Sequence, residues 1–216
     1  MAVLALFSMF GVIVHAKTAA SRVPVAHPLS AASSFPGVFT FRNDGFRTGQ
    51  NLTETILTPS TVKPGAFGRL FIDPVDAQVY TQPLYVPAVP MTDDVHNVVY
   101  VATELDSVYA FDADEVGPPL WHTSFIDPKN GITAVPSSDL GCGDLTPWIG
   151  ITATPVIDPD SQTLYVLSKE KLTKPSVSYR QRLHALDIAT GLEKLGGPVT
   201  ITATVTGTGV GNVGGV

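Results

Sequence analysis

Asp112, Asp114 and Gly117 stand at positions 1, 3 and 6 of a calcium loop, where short acids give oxygens to a hard cation and a glycine turns the chain sharply. Position 5 is Val116 and position 12 is Thr123, so the bidentate acid is missing and a structural turn is the plainer reading. Trp121 and Trp148 present flat faces that suit stacking on a quinone or a sugar ring, although aromatic side chains at strand ends more often pack one sheet on another. His184 falls on an apolar strand position and reads as a packed residue rather than a ligand. Cys142, the single cysteine, can form no internal disulfide. A catalytic thiol would need a base beside it, and the sequence points instead to a small buried hydrophobe. The connection from Ser137 to Asp158 carries Asp139 and Asp144 and is long enough to hold a binding site, with a solvated loop as the alternative.

Two short patterns carry less. Asn51 opens an Asn-Leu-Thr glycosylation acceptor, which arises easily by chance. Gly209, Gly211 and Gly214 complete a G-x-G-x-x-G pattern after a strand-like run, but no helix-forming stretch follows to aim amide groups at a pyrophosphate, and no acid remains for a ribose. No catalytic residue and no metal ligand is assigned on these grounds, and the residues of any cofactor site are unknown.

The elements that must carry these residues are strands. The chain has 216 residues, 44% hydrophobic and 15% charged, enough to bury a core, and 19 Gly with 18 Pro interrupt it too often for long helices. Val, Thr, Tyr and Phe cluster between those breaks, which predicts an all-β fold. With 13 basic against 19 acidic residues the net charge is −6 and no basic run follows a phosphate backbone, which argues against nucleic acid as a partner.

The opening "MAVLALFSMFGVIVHA" is apolar from Ala2 to Val14 and then offers small residues, so residues 1–20 read as a secretory signal and the mature protein as secreted or periplasmic. The run is too short to span a bilayer, and no membrane span is expected after cleavage. Residues 21–37, rich in Ala, Ser and Pro, read as a flexible linker, and the folded part covers 38–206. "VTITATVT" alternates Val199, Ile201, Ala203 and Val205 with threonines and predicts a strand. Residues 207–216 read as a glycine-rich tail or the start of a connection onward.

One phrase is written twice. Ser107-Val-Tyr-Ala-Phe-Asp112 aligns with Arg182-Leu-His-Ala-Leu-Asp187, "VVYVAT" (98–103) with "TLYVLS" (163–168), and "QPLYV" (82–86) with "TPVID" (154–158). The spacings between these pieces differ, so insertions fall between strands and never inside them. Each copy therefore reads as three short strands in fixed order, and "PLWHTSF" (119–125) adds a fourth to the first. In "SVYAFD" Val108 and Ala110 point one way while Tyr109 and Phe111 point the other, so the strand must be covered on both faces. A small sheet cannot do that alone, and neighbouring sheets of the same shape can. Asp112 and Asp187 end their strands where a carboxylate can accept backbone hydrogen bonds in a tight turn.

"LHALDIATGLEK", with "TPVID" and "TLYVLS" ahead of it, resembles the repeat of pyrroloquinoline-quinone (PQQ)-like β-propellers, whose pattern runs through Tyr-Val to Ala-x-Asp-x-x-Thr-Gly and a Trp-ended strand. The first copy, "YAFDADEVGPPLW", lacks the Thr-Gly pair but keeps Gly117 and ends on Trp121. "FRNDGFRTGQN", "LTPSTV" and "GRLFIDPVD" resemble the lead-in of such proteins, which implies a strand before the first blade. The implied fold is a partial β-propeller of about two four-stranded blades plus that lead-in strand, with an incomplete ring.

Two functions follow from the resemblance: the N-terminal fragment of an exported, non-catalytic binding or assembly scaffold, or the N-terminal part of a quinone-dependent alcohol or sugar dehydrogenase. The family's enzymes hold PQQ and Ca²⁺ on the axis and often cover the quinone with adjacent cysteines, which Cys142 alone cannot supply. PQQ and Ca²⁺ therefore belong to a possible full-length protein, and no ligand of either is assignable in this chain. The expected partners are further blades or another chain at exposed sheet surfaces.

Overall fold

The computed structural model describes residues 36–215 apart from Cys142, Gly211 and Val213. The expected leader over 1–20, nearly all of the linker over 21–37, the Cys142 thiol and the middle glycine of the G-x-G-x-x-G pattern lie outside the described residues. What is described is all-β: ten strands and two single-turn 3-10 helices. Among these residues no helix is long and apolar enough to cross a membrane.

The first sheet is an antiparallel meander of β1 (Leu84–Pro90), β2 (Val95–Ala102), β3 (Ser107–Asp112) and β4 (Trp121–Ser124), in that order. These are the four strands expected of the first copy. The second sheet holds β5 (Ile132–Pro136), β6 (Trp148–Ile149), β7 (Val156–Asp158), β8 (Thr163–Leu172), β9 (Ser178–Asp187) and β10 (Val199–Thr200). Its order is β10-β9-β8-β5-β6, with β7 also paired to β8, so β7 to β10 repeat the meander of the first sheet.

The repeat extends to register. Across the first sheet one row reads Leu84, Tyr100, Ala110, Trp121. Across the second the aligned residues form the same row, Val156, Tyr165, Ala185. The sheets do not, however, meet through equivalent faces. The first offers the Leu84–Tyr100–Ala110 face, and the second offers the opposite one, carrying Ile157, Leu164, Val166 and Leu186. Together with Ile151 and Ile188 these side chains make one core. Burying each large aliphatic side chain contributes roughly 1.5–3 kcal/mol.

β3 is covered on both sides. Val108 and Ala110 lie in the core, while Tyr109 on the other face stacks 4.2 Å from the His122 ring and 5.6 Å from Phe111, and both aromatics are buried. The lead-in contributes at the edges: Val38 exchanges backbone hydrogen bonds with Tyr85 of β1, and the Phe39 carbonyl accepts one from Ile157 of β7.

Three sequence expectations need correction. The strand predicted over 199–205 is regular only at Val199–Thr200. Ile201 donates one further bond to the Gln181 carbonyl, and beyond it the alternation has no core to bury, leaving Val205 80% exposed. The lead-in strand implied within 68–76 does not form, and Leu70 and Ile72 are exposed with no sheet beside them. The connection 137–158 is solvated only in its first half. Its second half supplies β6 and the buried Ile149 and Ile151.

Candidate functional site

The β2–β3 turn inserts two acids between the sheets. Glu104 and Asp106 are both fully buried, and Asp106 takes a left-handed backbone (φ 53°) that short polar residues tolerate best among non-glycines. The turn is held from outside by the 76–78 segment: the Asp76 carboxylate accepts from Thr103 Oγ1 (2.7 Å) and Ser107 Oγ (2.6 Å), and the Glu104 amide donates to the Gln78 carbonyl. Glu104 Oε2 accepts from the Gly150 amide at 2.7 Å and from Thr152 Oγ1 at 3.1 Å. Asp106 Oδ1 accepts from the Lys169 amide of β8 at 3.2 Å. Burial pushes the Asp106 carboxyl up to about 8. The Lys169 amide opposes that shift, and the nearby charges of Glu170 and Glu104 add to it. Burial thus favours the protonated form of Asp106.

Gly150 is the point on which the turn rests. A Cβ there would stand 2.5 Å from the Glu104 carbonyl oxygen and 2.9 Å from Asp106 Oδ1, so only glycine lets the chain pass.

β8 and β9 continue the polar patch. Ser168 and Glu170 share the inward phase of β8 with Leu164 and Val166, and both are fully buried. Arg180 Nε donates to Glu170 Oε2 at 2.6 Å, and Arg182 reaches Oε1 at 3.5 Å. His184, 2% exposed, has Nε2 3.0 Å from Ser168 Oγ and Nδ1 against the Glu193 carboxylate. Burial lowers its pKa, with Glu193 opposing, so the ring is neutral. Each atom is then satisfied if Nδ1–H donates to Glu193 and Nε2 accepts from the Ser168 hydroxyl. These are the atoms of a nucleophilic triad without its access. The Phe125 ring lies on the imidazole at 3.6 Å, and the serine is sealed in the sheet. The arrangement locks β8, β9 and Glu193 together and cannot receive a substrate in this state.

The residues singled out from sequence are dispersed. Asp112 Oδ1 accepts from the amides of Asp114 (2.8 Å) and Glu115 (3.2 Å), its other oxygen meets His96 Nδ1 at 2.7 Å, and Asp114 accepts from Asn97. These oxygens are committed to a turn. Trp121 packs between the sheets, its Nε1 donating to the Ile188 carbonyl at 2.9 Å. Trp148, half-buried, borders an open pocket of about 430 Å³ with Val75, Asp76, Gln78 and Pro147. Asp139 pairs with Lys171 at 2.5 Å and accepts from the Tyr179 hydroxyl, tying its loop to β8 and β9; Asp144 and Asn51 are exposed. Among the described residues no group of three or more His, Cys, Asp or Glu is placed to hold a metal.

Sequence reasoning passed over Glu104, Asp106 and Glu170. Their signal was position: Glu170 sits on the core-facing phase of β8, and the other two interrupt a stretch apolar on either side. No family model, curated protein or solved structure matches this chain.

Proposed function

We propose that this chain is the N-terminal part of an exported PQQ-like repeat β-propeller that acts as a non-catalytic binding or assembly scaffold. The observation that carries the reading is that its two meanders pack through opposite faces of the same repeat. Sheets meeting through equivalent faces would close a sandwich, whereas opposite faces leave each unit ready for another of its kind. The second sheet accordingly keeps open the face equivalent to the one it covers on the first: Val156 and Leu183 are 45% and 41% exposed, and Val199 is 64% exposed. The turn from Asp187 to Gly191 supports the same reading. It docks on the first sheet through Tyr100 and Trp121, both donating to the Ile188 carbonyl, and through Thr123 to the Gly191 carbonyl. The scaffold reading is further supported by what the polar side chains do: the turn acids are used in turns, and the serine–histidine–glutamate set is enclosed.

Sedimentation velocity and a quinone assay test the two halves of this proposal. Concentration-dependent association that Leu183→Lys weakens is expected, and a strictly monomeric chain would remove the stacking argument. With added pyrroloquinoline quinone and Ca²⁺, no bound-quinone absorbance and no dye reduction with alcohols or sugars are expected. Dye reduction would replace the scaffold by the dehydrogenase.

A further inference from the structure

We infer that the open cleft between residues 75–78 and Pro147–Trp148 binds a small organic cation of the quaternary-ammonium class, its charge against Asp76 and its apolar surface against the Trp148 ring. The cleft holds about 430 Å³ and is lined by Val75, Asp76, Ala77, Gln78, Pro147 and Trp148. That volume falls within the roughly 300–1,000 Å³ that small-molecule sites occupy. Asp76 is the only charged side chain among these residues. It is exposed, and it forms no ion pair with any described residue.

Both walls are held in place without a ligand. The Asp76 carboxylate accepts from two buried hydroxyls, Thr103 Oγ1 on one oxygen and Ser107 Oγ on the other, which fixes its direction and leaves a lone pair on each oxygen. Gln78 ties this segment to the opposite wall, its Nε2 donating to the Thr146 carbonyl at 2.8 Å. There Trp148 pairs with Pro136 in the β5–β6 ladder, and the Pro147 carbonyl accepts from the Ser137 amide at 3.0 Å. A half-buried indole beside an uncompensated carboxylate attracts a cation twice, through the negative face of the ring and through the charge. Walls already ordered spare the ligand the cost of ordering them. One carboxylate among apolar side chains is a poor donor set for Ca²⁺ or Mg²⁺. An anion such as PQQ would be repelled by Asp76, and a neutral polyol would leave the charge unused. Alkyl groups on the nitrogen match Val75, Ala77 and Pro147. The cleft lies wholly within this chain, so the inference does not rest on the scaffold reading.

NMR of the chain titrated with choline chloride up to about 50 mM, at constant ionic strength, tests it. Saturable shifts should centre on the Trp148 indole N–H and the Gln78 side-chain amide. The uncharged isostere 3,3-dimethyl-1-butanol, with carbon in place of nitrogen, should bind roughly fivefold more weakly or worse. Asp76→Asn should weaken choline by a similar factor, and Asp160→Asn, a surface control, should not. The isostere comparison uses the wild-type chain, so it decides the matter even if Asp76→Asn, with one acceptor fewer for Thr103 and Ser107, fails to fold. The inference would be overturned by no saturable shift, by shifts centred elsewhere, by undiminished binding in folded Asp76→Asn, or by the isostere or glucose binding as tightly as choline.

Discussion

The six-membered ring of Trp121 lies directly on Gly191: a Cβ at that glycine would stand 2.5 Å from the ring, and the backbone there is left-handed at φ 69°. Two independent penalties therefore meet any substitution, one conformational and one steric. Gly191→Ala should cost about 2–4 kcal/mol by chemical denaturation. A loss below about 1 kcal/mol, the strain term alone, would show that the ring does not rest there.

Equivalent tyrosines have unequal surroundings. Tyr100 donates to the Ile188 carbonyl from a buried position, whereas Tyr165, its counterpart one repeat on, lies on the open face of the second sheet and is half-buried. Removing the hydroxyl from Tyr100 should cost about 1 kcal/mol, or roughly 2–4 °C in Tm, and removing it from Tyr165 in this chain should cost next to nothing. Equal losses in the two Tyr→Phe variants would contradict the packing described.

Asp106 sets a pH trend. Its carboxyl titrates near 8 when folded against 3.8 as the reference, so between those values the unfolded chain ionises first and stability falls as pH rises. The wild type should lose stability relative to Asp106→Asn from about pH 4 to pH 8, by no more than about 1.4 kcal/mol per pH unit. Parallel stability curves across that window would sink the assignment.

The two buried-side histidines should titrate in opposite directions. The hydrogen bond from His96 Nδ1 to the Asp112 carboxylate raises His96, against a smaller opposing effect of desolvation, and burial lowers His184. His96 therefore contributes stability that is present below the reference value of 6.5 and lost as pH climbs through its raised pKa. His184 contributes stability that is present above 6.5 and lost as pH falls. NMR of the imidazole protons should show His96 titrating above 6.5 and His184 below, and Asp112→Asn should bring His96 down. A reversed order would refute both placements.

Much of the fold was legible because it is written in local pattern. The Ala-x-Asp phrase placed β3 and β9, its aspartates cap their turns through backbone amides as their position required, and the tyrosine–alanine alignment became actual cross-strand pairs. The failures share a cause. Val199 to Val205 alternates and the resemblance implied a strand within 68–76, but a strand also needs a partner edge, which neither periodicity nor a repeat phrase encodes. β5 and β6 went unseen because they are short pieces paired over long separations. The acidic cluster was hidden for the same reason: Glu104, Gly150 and Lys169 are distant in sequence, and only the stacking of the sheets makes them neighbours.

The joint between the sheets has a direction, like a row of stacked chairs, in which the seat of one receives the back of the next. A gene segment encoding one such unit, copied in frame, arrives already matched to its parent, because the mating surfaces are both present in every copy. Growth by duplication then needs no new interface, and divergence is free to accumulate in the connections that differ most between these two units.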